Sequence, residues 1–287
     1  MTRTLARASM LSCAIALAGC SSDAAQPEDT KPGAAPTEAA ARDDARTERT
    51  VPVSVELLLE ELEDGRNAPQ QNYRLTESRC REAGWPVRSL SGEQIARLGT
   101  ATLELSLDSN RRLARETRWS WTSPGKQLED LCLFEFREQV VENYIDRQVT
   151  GHSGDEFTPG WQQEPVTADE FELLPIDAAQ AAEGHAIAAQ AGWQDQGAMS
   201  VAGQPCNRWS KDGVSVCMWA EGARMGLSTD PVVHSASTMP DNSPSGIVLA
   251  QEPANGNGTR VTTRRFTAGE SLPPSAFVPV TRSRGGQ

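Results

Sequence analysis

The chain has 287 residues, of which 38% are hydrophobic, 23% charged and 5% aromatic, and its formal net charge is −12. This acidic composition argues against nucleic-acid binding, which needs clustered lysines and arginines to displace counterions. Arg260, Arg264 and Arg265 form a small basic cluster interleaved with threonine. We interpret this cluster as one solvated strand face, with contact to an anion or a lipid head group as the alternative.

The N-terminus has the parts of an export signal. Arg3 and Arg7 supply positive charge, residues 10–18 are a short apolar run, and the run ends in LAGC at residues 17–20. A membrane-spanning helix needs about 20 apolar residues, so this run is too short. A transmembrane anchor and a secretory signal cut elsewhere stay as alternatives. The segment resembles the lipobox of bacterial lipoproteins.

The lipobox resemblance implies that residues 1–19 are removed as a signal peptide and that Cys20 becomes an acylated N-terminus. Several acyl chains, such as palmitate, make a stable membrane anchor, whereas one chain holds only reversibly. Ser21 stands where an Asp would suggest retention in the inner membrane, so the resemblance implies an outer-membrane anchor with the protein facing the periplasm. Removal of Arg3 and Arg7 would change the net charge from −12 to −14.

Residues 20–50 are predicted to be a disordered tether. From residue 21 the segment is rich in Ala, Pro and charges and contains no aromatic residue, Val, Ile or Leu. Such a segment cannot bury enough apolar surface to offset the entropy lost on ordering. We expect the folded part to consist of an N-terminal α+β half, residues 51–175, and a C-terminal half, residues 176–287, with a helix and an antiparallel meander.

Four cysteines remain once those of the signal peptide and lipobox are set aside. An even number in an exported chain predicts two disulfides, for which three pairings exist. The spacing favours Cys206 with Cys217, because a four-residue loop around the turn sequence SKDG would place them directly opposite each other on two strands. Cys80 would then pair with Cys132. A zinc site is the alternative, but CxxC spacing is absent and the histidines are scattered, so we expect no metal and no cofactor.

The first predicted element is a helix over residues 54–65, capped by Ser54 and stopped by Gly65. Its apolar residues recur at spacings of three and four: Val55, Leu58, Leu59 and Leu62. A second, shorter helix is predicted to begin at Ser91, which has the capping-box spacing to Gln94, and to end at Gly99.

Alternating apolar and polar residues predict strands at 101–110 and 118–123. The second strand carries Trp119 and Trp121 on one face, which we interpret as core packing, with a carbohydrate platform as the alternative. Residues 131–145 fit either one long strand or a strand that runs into a helix. Residues 150–175 are predicted to connect the two halves.

The second half is predicted to begin with an Ala-rich helix from Asp177 to Gly192. His185 in this helix is expected at the surface rather than as a catalytic base, because it has no identifiable partner. An antiparallel meander follows from residue 197. Its clearest feature is a hairpin around NGNG that pairs residues 246–252 with 259–266. The tail, residues 272–280, is predicted to be extended, with Phe277 at a sheet edge.

Residues 197–280 resemble the periplasmic LolA and LolB type of lipoprotein-binding fold. The similar segments are VAGQPCNRW, VCMWAEG, GIVLAQE, RVTTRRF and LPPSAFVPV. The resemblance implies a curved antiparallel sheet that wraps over helices and encloses an apolar cavity for acyl chains. It carries over no functional residue, so the sequence leaves the ligand-binding residues unknown.

The expected fold class is therefore α+β, with a curved antiparallel meander and a few packed helices. Because the sequence contains no nucleophile elbow such as GxSxG and nothing selects a carboxylate pair, we expect no enzyme. The expected function is that of an outer-membrane lipoprotein acting as a non-catalytic binding module for a lipid, a lipoprotein or another apolar ligand. The alternative is an inhibitor or immunity lipoprotein that neutralises a toxin or a lytic enzyme in the cell envelope.

Overall fold

The computed structural model describes residues 51–125, 130, 132–146, 149–155, 162–164, 178–222 and 246–279. The predicted signal peptide, Cys20 and the tether lie outside these residues. Residues 48–287 form one compact unit. The expected α+β fold with an antiparallel meander is confirmed.

The described part of the chain contains twelve strands and three α-helices. The first half comprises β1 (Val53–Glu63), β2 (Arg66–Asn67), α1 (Ala68–Glu82), α2 (Gly92–Arg97), β3 (Thr100–Leu107), β4 (Arg111–Thr122), β5 (Glu135–Asp146), β6 (Val149–Asp155) and β7 (Gln162–Glu164). The second half comprises α3 (Ala178–Gln190), β8 (Gln194–Val201), β9 (Gln204–Lys211), β10 (Val214–Trp219), β11 (Val248–Glu252) and β12 (Gly258–Ala268).

All these strands belong to one antiparallel sheet. Its order is β7-β6-β5-β4-β3-β1-β12-β11-β10-β9-β8, and the short β2 pairs with β1 alone. The two halves each form a meander, and the meanders meet at β1. One edge of β1 pairs with β3 and the other with β12.

The helix predicted over residues 54–65 is wrong, because this segment is β1. Its sequence VSVELLLEELE fits a helical spacing and also alternates with a period of two. In the strand, Val53, Val55, Leu57 and Leu59 share one buried face. Backbone pairing on both edges favours the strand over the isolated helix. Gly65 does end the element, but in a tight turn with positive φ at Asp64 and Gly65.

Helix α1 has no counterpart among the predicted elements. It begins at Ala68, and the preceding Asn67 caps it: its side-chain oxygen accepts a hydrogen bond from the backbone N–H of Gln70 at 3.0 Å. Tyr73 and Cys80 are its buried residues. They pack with α2 and the start of β5 in a cluster centred on Phe134, where the rings of Tyr73 and Phe134 meet edge to face at 5.0 Å.

The predicted short helix at Ser91 is confirmed as α2. Its capping box is present, with Ser91 and Gln94 exchanging hydrogen bonds between side chain and backbone. Gly99 follows the helix with a φ of +66°, and an added Cβ would lie 2.6 Å from Pro69 in the first turn of α1. A side chain at residue 99 would therefore push α1 away from β3.

The strand predicted at 101–110 is confirmed as β3. The strand predicted at 118–123 is also confirmed, as the end of the longer β4, which already begins at Arg111. Residues 135–146 form the single strand β5, so the segment does not run into a helix. The predicted connection over 150–175 is wrong in part, because it contains most of β6 and all of β7.

The meander of the second half is confirmed, including the hairpin of β11 with β12, where Ala250 pairs with Thr262. Helix α3 ends before Gly192, which has a φ of +93°. Asp177, where the helix was expected to begin, and residues 223–245 of the expected meander lie outside the described residues. The main core joins the apolar face of β1 and β3 to the apolar residues of the second meander. Trp209, Trp219 and Leu249 are buried in it.

Both disulfides join the expected partners. Cys80 on α1 bonds to Cys132 just before β5, with Cα atoms 5.9 Å apart, and Cys206 on β9 bonds to Cys217 on β10 at 5.6 Å. The first closes a long loop with a sequence separation of 52, and the second staples one hairpin with a separation of 11.

The predicted register of the second disulfide is wrong. The connection between β9 and β10 is a two-residue turn with positive φ at Asp212 and Gly213, the geometry that matches the twist of a hairpin. In this register Cys206 lies opposite Trp219 and Cys217 lies opposite Arg208. The disulfide therefore runs diagonally between the strands.

We expect removal of the long-loop disulfide to lower stability more than removal of the hairpin disulfide. Loop-closure entropy gives about 4 kcal/mol for the first and about 3 kcal/mol for the second. The check is urea unfolding of the double variants Cys80→Ala with Cys132→Ala and Cys206→Ala with Cys217→Ala. A hairpin variant that is the less stable of the two would contradict this ranking.

Candidate functional site

The side of the sheet opposite the main core carries a row of charges across its centre. Residues directly opposite each other in an antiparallel ladder share one face. The register aligns five charged residues on consecutive strands from β12 to β5: Arg265, Glu56, Glu104, Arg115 and Glu142. We call this row the charge ladder.

Ion pairs connect most members of the charge ladder. Arg265 Nη2 lies 2.9 Å from Glu56 Oε2, and Arg115 Nη1 lies 3.0 Å from Glu104 Oε2. Arg115 also donates from Nε to Glu142 Oε1 at 2.6 Å. Glu56 and Glu104, in contrast, are like charges directly opposite each other on β1 and β3. Such a pair is unfavourable by itself, so the two arginines compensate it.

Arg115 lies at the junction between the exposed and buried parts of the ladder. The Glu142 side chain is fully buried, and that of Arg115 is 19% exposed. Burial acts to lower the pKa of the Arg115 guanidinium, but hydrogen bonds and attraction to Glu142 and Glu104 outweigh it and raise the pKa. The arginine therefore stays charged and balances a carboxylate that has left water.

A groove of about 260 Å³ opens above the charge ladder. Its floor is formed by β1, β3 and β4, and six polar side chains line it: Ser54, Glu56, Glu104, Ser106, Arg115 and Arg265. Pro273, Ser275 and Ala276 form one wall. Since pockets for drug-sized ligands measure about 300–1,000 Å³, this groove has room for a single side chain or a small head group.

The C-terminal segment that forms this wall is fixed to the sheet at two points. Phe277 is buried against Leu113 and Tyr144, and the Arg111 guanidinium stacks over its ring at 4.1 Å. The carbonyl of Val278 accepts a hydrogen bond from Arg115 Nη2 at 2.8 Å. The expected extended tail with Phe277 at a sheet edge is thus wrong, because Phe277 ends a 3-10 turn and packs on the face of β4 and β5.

The two tryptophans predicted as packing residues have different surroundings. Trp121 packs edge to face on Phe134, with ring centroids 5.3 Å apart. Trp119 is half-buried, donates from its ring N–H to Glu138 at 3.0 Å, and has the Arg97 guanidinium 5.5 Å from its ring centroid. Neither ring lines the groove, and Trp119 already has a cation over its ring.

The basic cluster of the sequence is divided between two ion-pair groups on β12. Arg265 pairs with Glu56 at the groove, whereas Arg260 pairs with Glu252 at 3.1 Å. The pairing register of β12 with β1 shifts at Arg264. His185 is exposed on α3 as expected, and its ring meets that of Trp209 at 4.9 Å.

None of the four disulfide-bonded cysteines lines the groove. Of the charged groove residues, only Arg265 belongs to a cluster that the sequence analysis considers for ligand contact. Within the described residues no group of three or more His, Cys, Asp or Glu side chains is arranged to hold a metal ion. The sequence does contain a signal for the polar face of the sheet. Polar residues alternate with Val in VSVE, residues 53–56, and with Leu in LELS, residues 103–106. The period-two pattern places Glu56 and Glu104 on the face opposite the core.

No known family model matches the chain, and no curated protein matches it significantly. Across the part of the chain described here, no helix is both long and apolar enough to span a membrane.

We expect Arg115→Met to destabilise the protein by about 3 kcal/mol, because it removes a guanidinium that pairs with the fully buried Glu142 carboxylate. Arg265→Met is the matched control. Its side chain is 73% exposed, and exposed ion pairs contribute less than about 1 kcal/mol. Urea unfolding of both variants checks the difference. Equal losses would show that the Glu142 carboxylate does not depend on Arg115.

Proposed function

We propose that this protein is an outer-membrane lipoprotein, anchored through Cys20 and facing the periplasm, whose folded body is a non-catalytic binding module. The observation that carries the binding function is the groove above the charge ladder. It brings charged and hydroxyl side chains from four strands, among them Glu56, Arg115 and Arg265, to one concave surface. Concave sites with a few convergent polar groups are the usual form of a ligand site.

The groove favours a polar ligand over an acyl chain. Its lining is dominated by carboxylates, guanidinium groups and hydroxyls, and placing a lipid tail there would remove these groups from water without new hydrogen bonds. In the described core of the second half, large side chains such as Trp209 and Trp219 are buried. The protein-binding role of an inhibitor or immunity lipoprotein is therefore better supported than the carriage of an apolar ligand.

A binding role also agrees with the way the groove carboxylates are held. Glu56 and Glu104 each form an ion pair with an arginine. Both carboxylates also line the groove, where they can take part in binding a polar ligand.

We expect Cys20→Ser to move the protein from the membrane fraction to the soluble periplasmic fraction without a change in its fold. The anchor depends on acyl chains attached to this cysteine, whereas the described body begins at residue 51. Fractionation and circular dichroism of wild type and variant check this. If the variant stays in the membrane fraction at unchanged abundance, the lipid anchor at Cys20 is contradicted.

We expect small polar probes, but not laurate, to bind at the groove. The measurement is an NMR titration of the purified full chain with N-acetyl-lysine amide, acetate, N-acetylglucosamine and laurate in turn. Shifts confined to amides of β1, β3 and β4 around Ser54 and Ser106 would support the proposal. A groove that responds to no probe, or to laurate alone, would contradict it.

A further inference from the structure

We propose that Asn255 is a site of spontaneous deamidation, in which its side-chain amide becomes a carboxylate, and that the fold protects the neighbouring Asn257 from the same reaction. This modification site lies in the turn between β11 and β12 and is independent of the proposed binding function. Three observations carry it: the glycine after each asparagine, the different hydrogen bonding of the two side chains, and the contact of the turn with the end of β1.

The sequence NGNG at residues 255–258 places a glycine directly after each of these two asparagines. In deamidation, the main-chain nitrogen of the following residue bonds to the side-chain carbonyl carbon. The bond from that carbon to the side-chain nitrogen breaks, and ammonia leaves with the proton of the main-chain N–H. Water then opens the resulting ring to give aspartate or isoaspartate. Because glycine has no Cβ, it hinders the ring closure least, and no other asparagine of the chain precedes a glycine.

The side chain of Asn255 is free to react. It is exposed, and no hydrogen bond joins it to any other residue that the structure describes. Its backbone lies in the left-handed region at φ 52° and ψ 25°, which asparagine adopts more readily than most residues. The attacking nitrogen, that of Gly256, donates to the carbonyl of Pro253 at 3.3 Å. This hydrogen bond is longer than the usual range of about 2.7–3.2 Å, so it restrains the nitrogen only weakly.

The side chain of Asn257, in contrast, is held at both ends of its amide group. Its Oδ1 accepts a hydrogen bond from the backbone N–H of Asp64 at 2.9 Å, and its Nδ2 donates to the carbonyl of Asn255 at 3.2 Å. Gly258, which supplies the attacking nitrogen here, is already paired with Leu62 in the ladder with β1. Ring closure at Asn257 has to break these contacts, so it should be at least about tenfold slower than at Asn255.

Deamidation of Asn255 would weaken the contact between this turn and the end of β1. The backbone N–H groups of Asp64 and Gly65 donate to the Asn257 side chain and to the carbonyl of Gly256, the latter at 3.0 Å. The new carboxylate adds negative charge to a turn that already contacts an aspartate. Isoaspartate also inserts one more atom into the main chain between residues 255 and 256, which would displace the Gly256 carbonyl.

The test is incubation of the purified full chain at mildly alkaline pH in water enriched in heavy oxygen, followed by peptide mass spectrometry. The heavy oxygen marks the acids that form during incubation, and fragmentation assigns them to residue 255 or 257. We expect Asn255 to react at least about tenfold faster than Asn257. The same chain unfolded in guanidinium chloride is the matched control. There the two rates should converge, because neither side chain keeps its hydrogen bonds.

Three results would overturn the inference. The first is an equal or faster reaction at Asn257 in the folded chain. The second is a preference for Asn255 that persists undiminished in the unfolded chain, since the selectivity would then come from the sequence alone. The third is a folded chain in which Asn255 does not react although it reacts in the unfolded chain.

The variant Asn255→Gly tests the consequence for the contact with β1. Glycine keeps the left-handed backbone and has no side-chain amide to lose. After the same incubation, the urea midpoint of the wild type should fall, whereas that of the variant should stay unchanged. A wild type that has deamidated at Asn255 and keeps its midpoint would show that the contact with Asp64 and Gly65 does not depend on this residue.

Discussion

The pairing of β1 on both of its edges is the constraint on which the rest of the structure depends. Its ladder with β3 and its ladder with β12 join two meanders into one sheet. The two-residue period of the strand then divides its side chains. Val53, Val55 and Leu57 enter the main core, while Ser54 and Glu56 face the groove. The same strand thus supplies much of the hydrophobic stabilisation and part of the candidate site.

The charge ladder crosses this strand, and its ion pairs link side chains of neighbouring strands, with Arg115 contacting two carboxylates at once. The fully buried Glu142 pairs with Arg115, and Arg115 in turn contacts Glu104 and the C-terminal segment. Buried ion pairs of this kind add little net stability compared with apolar packing, although breaking one is costly. The arrangement of these ion pairs is better explained by the polar groove that they form. Arg115 lies in the floor of this groove and also holds the C-terminal segment that forms its wall.

The sequence predicts elements whose patterns are local and misses those that depend on distant partners. The capping box at Ser91, the alternation in β3, and the hairpin of β11 and β12 were all predictable, because neighbouring residues determine them. The helix predicted for the β1 segment is wrong, because its leucines fit both a helical and a two-residue period and only pairing with β3 and β12 selects the strand. Helix α1 buries little beyond Tyr73 and Cys80, so it lacks an apolar stripe. The groove could not be predicted because its residues come from segments far apart in the chain.

The most direct test of this account is the backbone conformation of residues 53–63 in solution. Nuclear Overhauser measurements on the full chain should show cross-strand contacts from β1 to both neighbours, between Val55 and Leu105 on one side and between Val55 and Phe266 on the other. A run of amide-to-amide contacts between successive residues, typical of a helix, would contradict the account. Without the central strand, neither the single sheet nor the charge ladder could form.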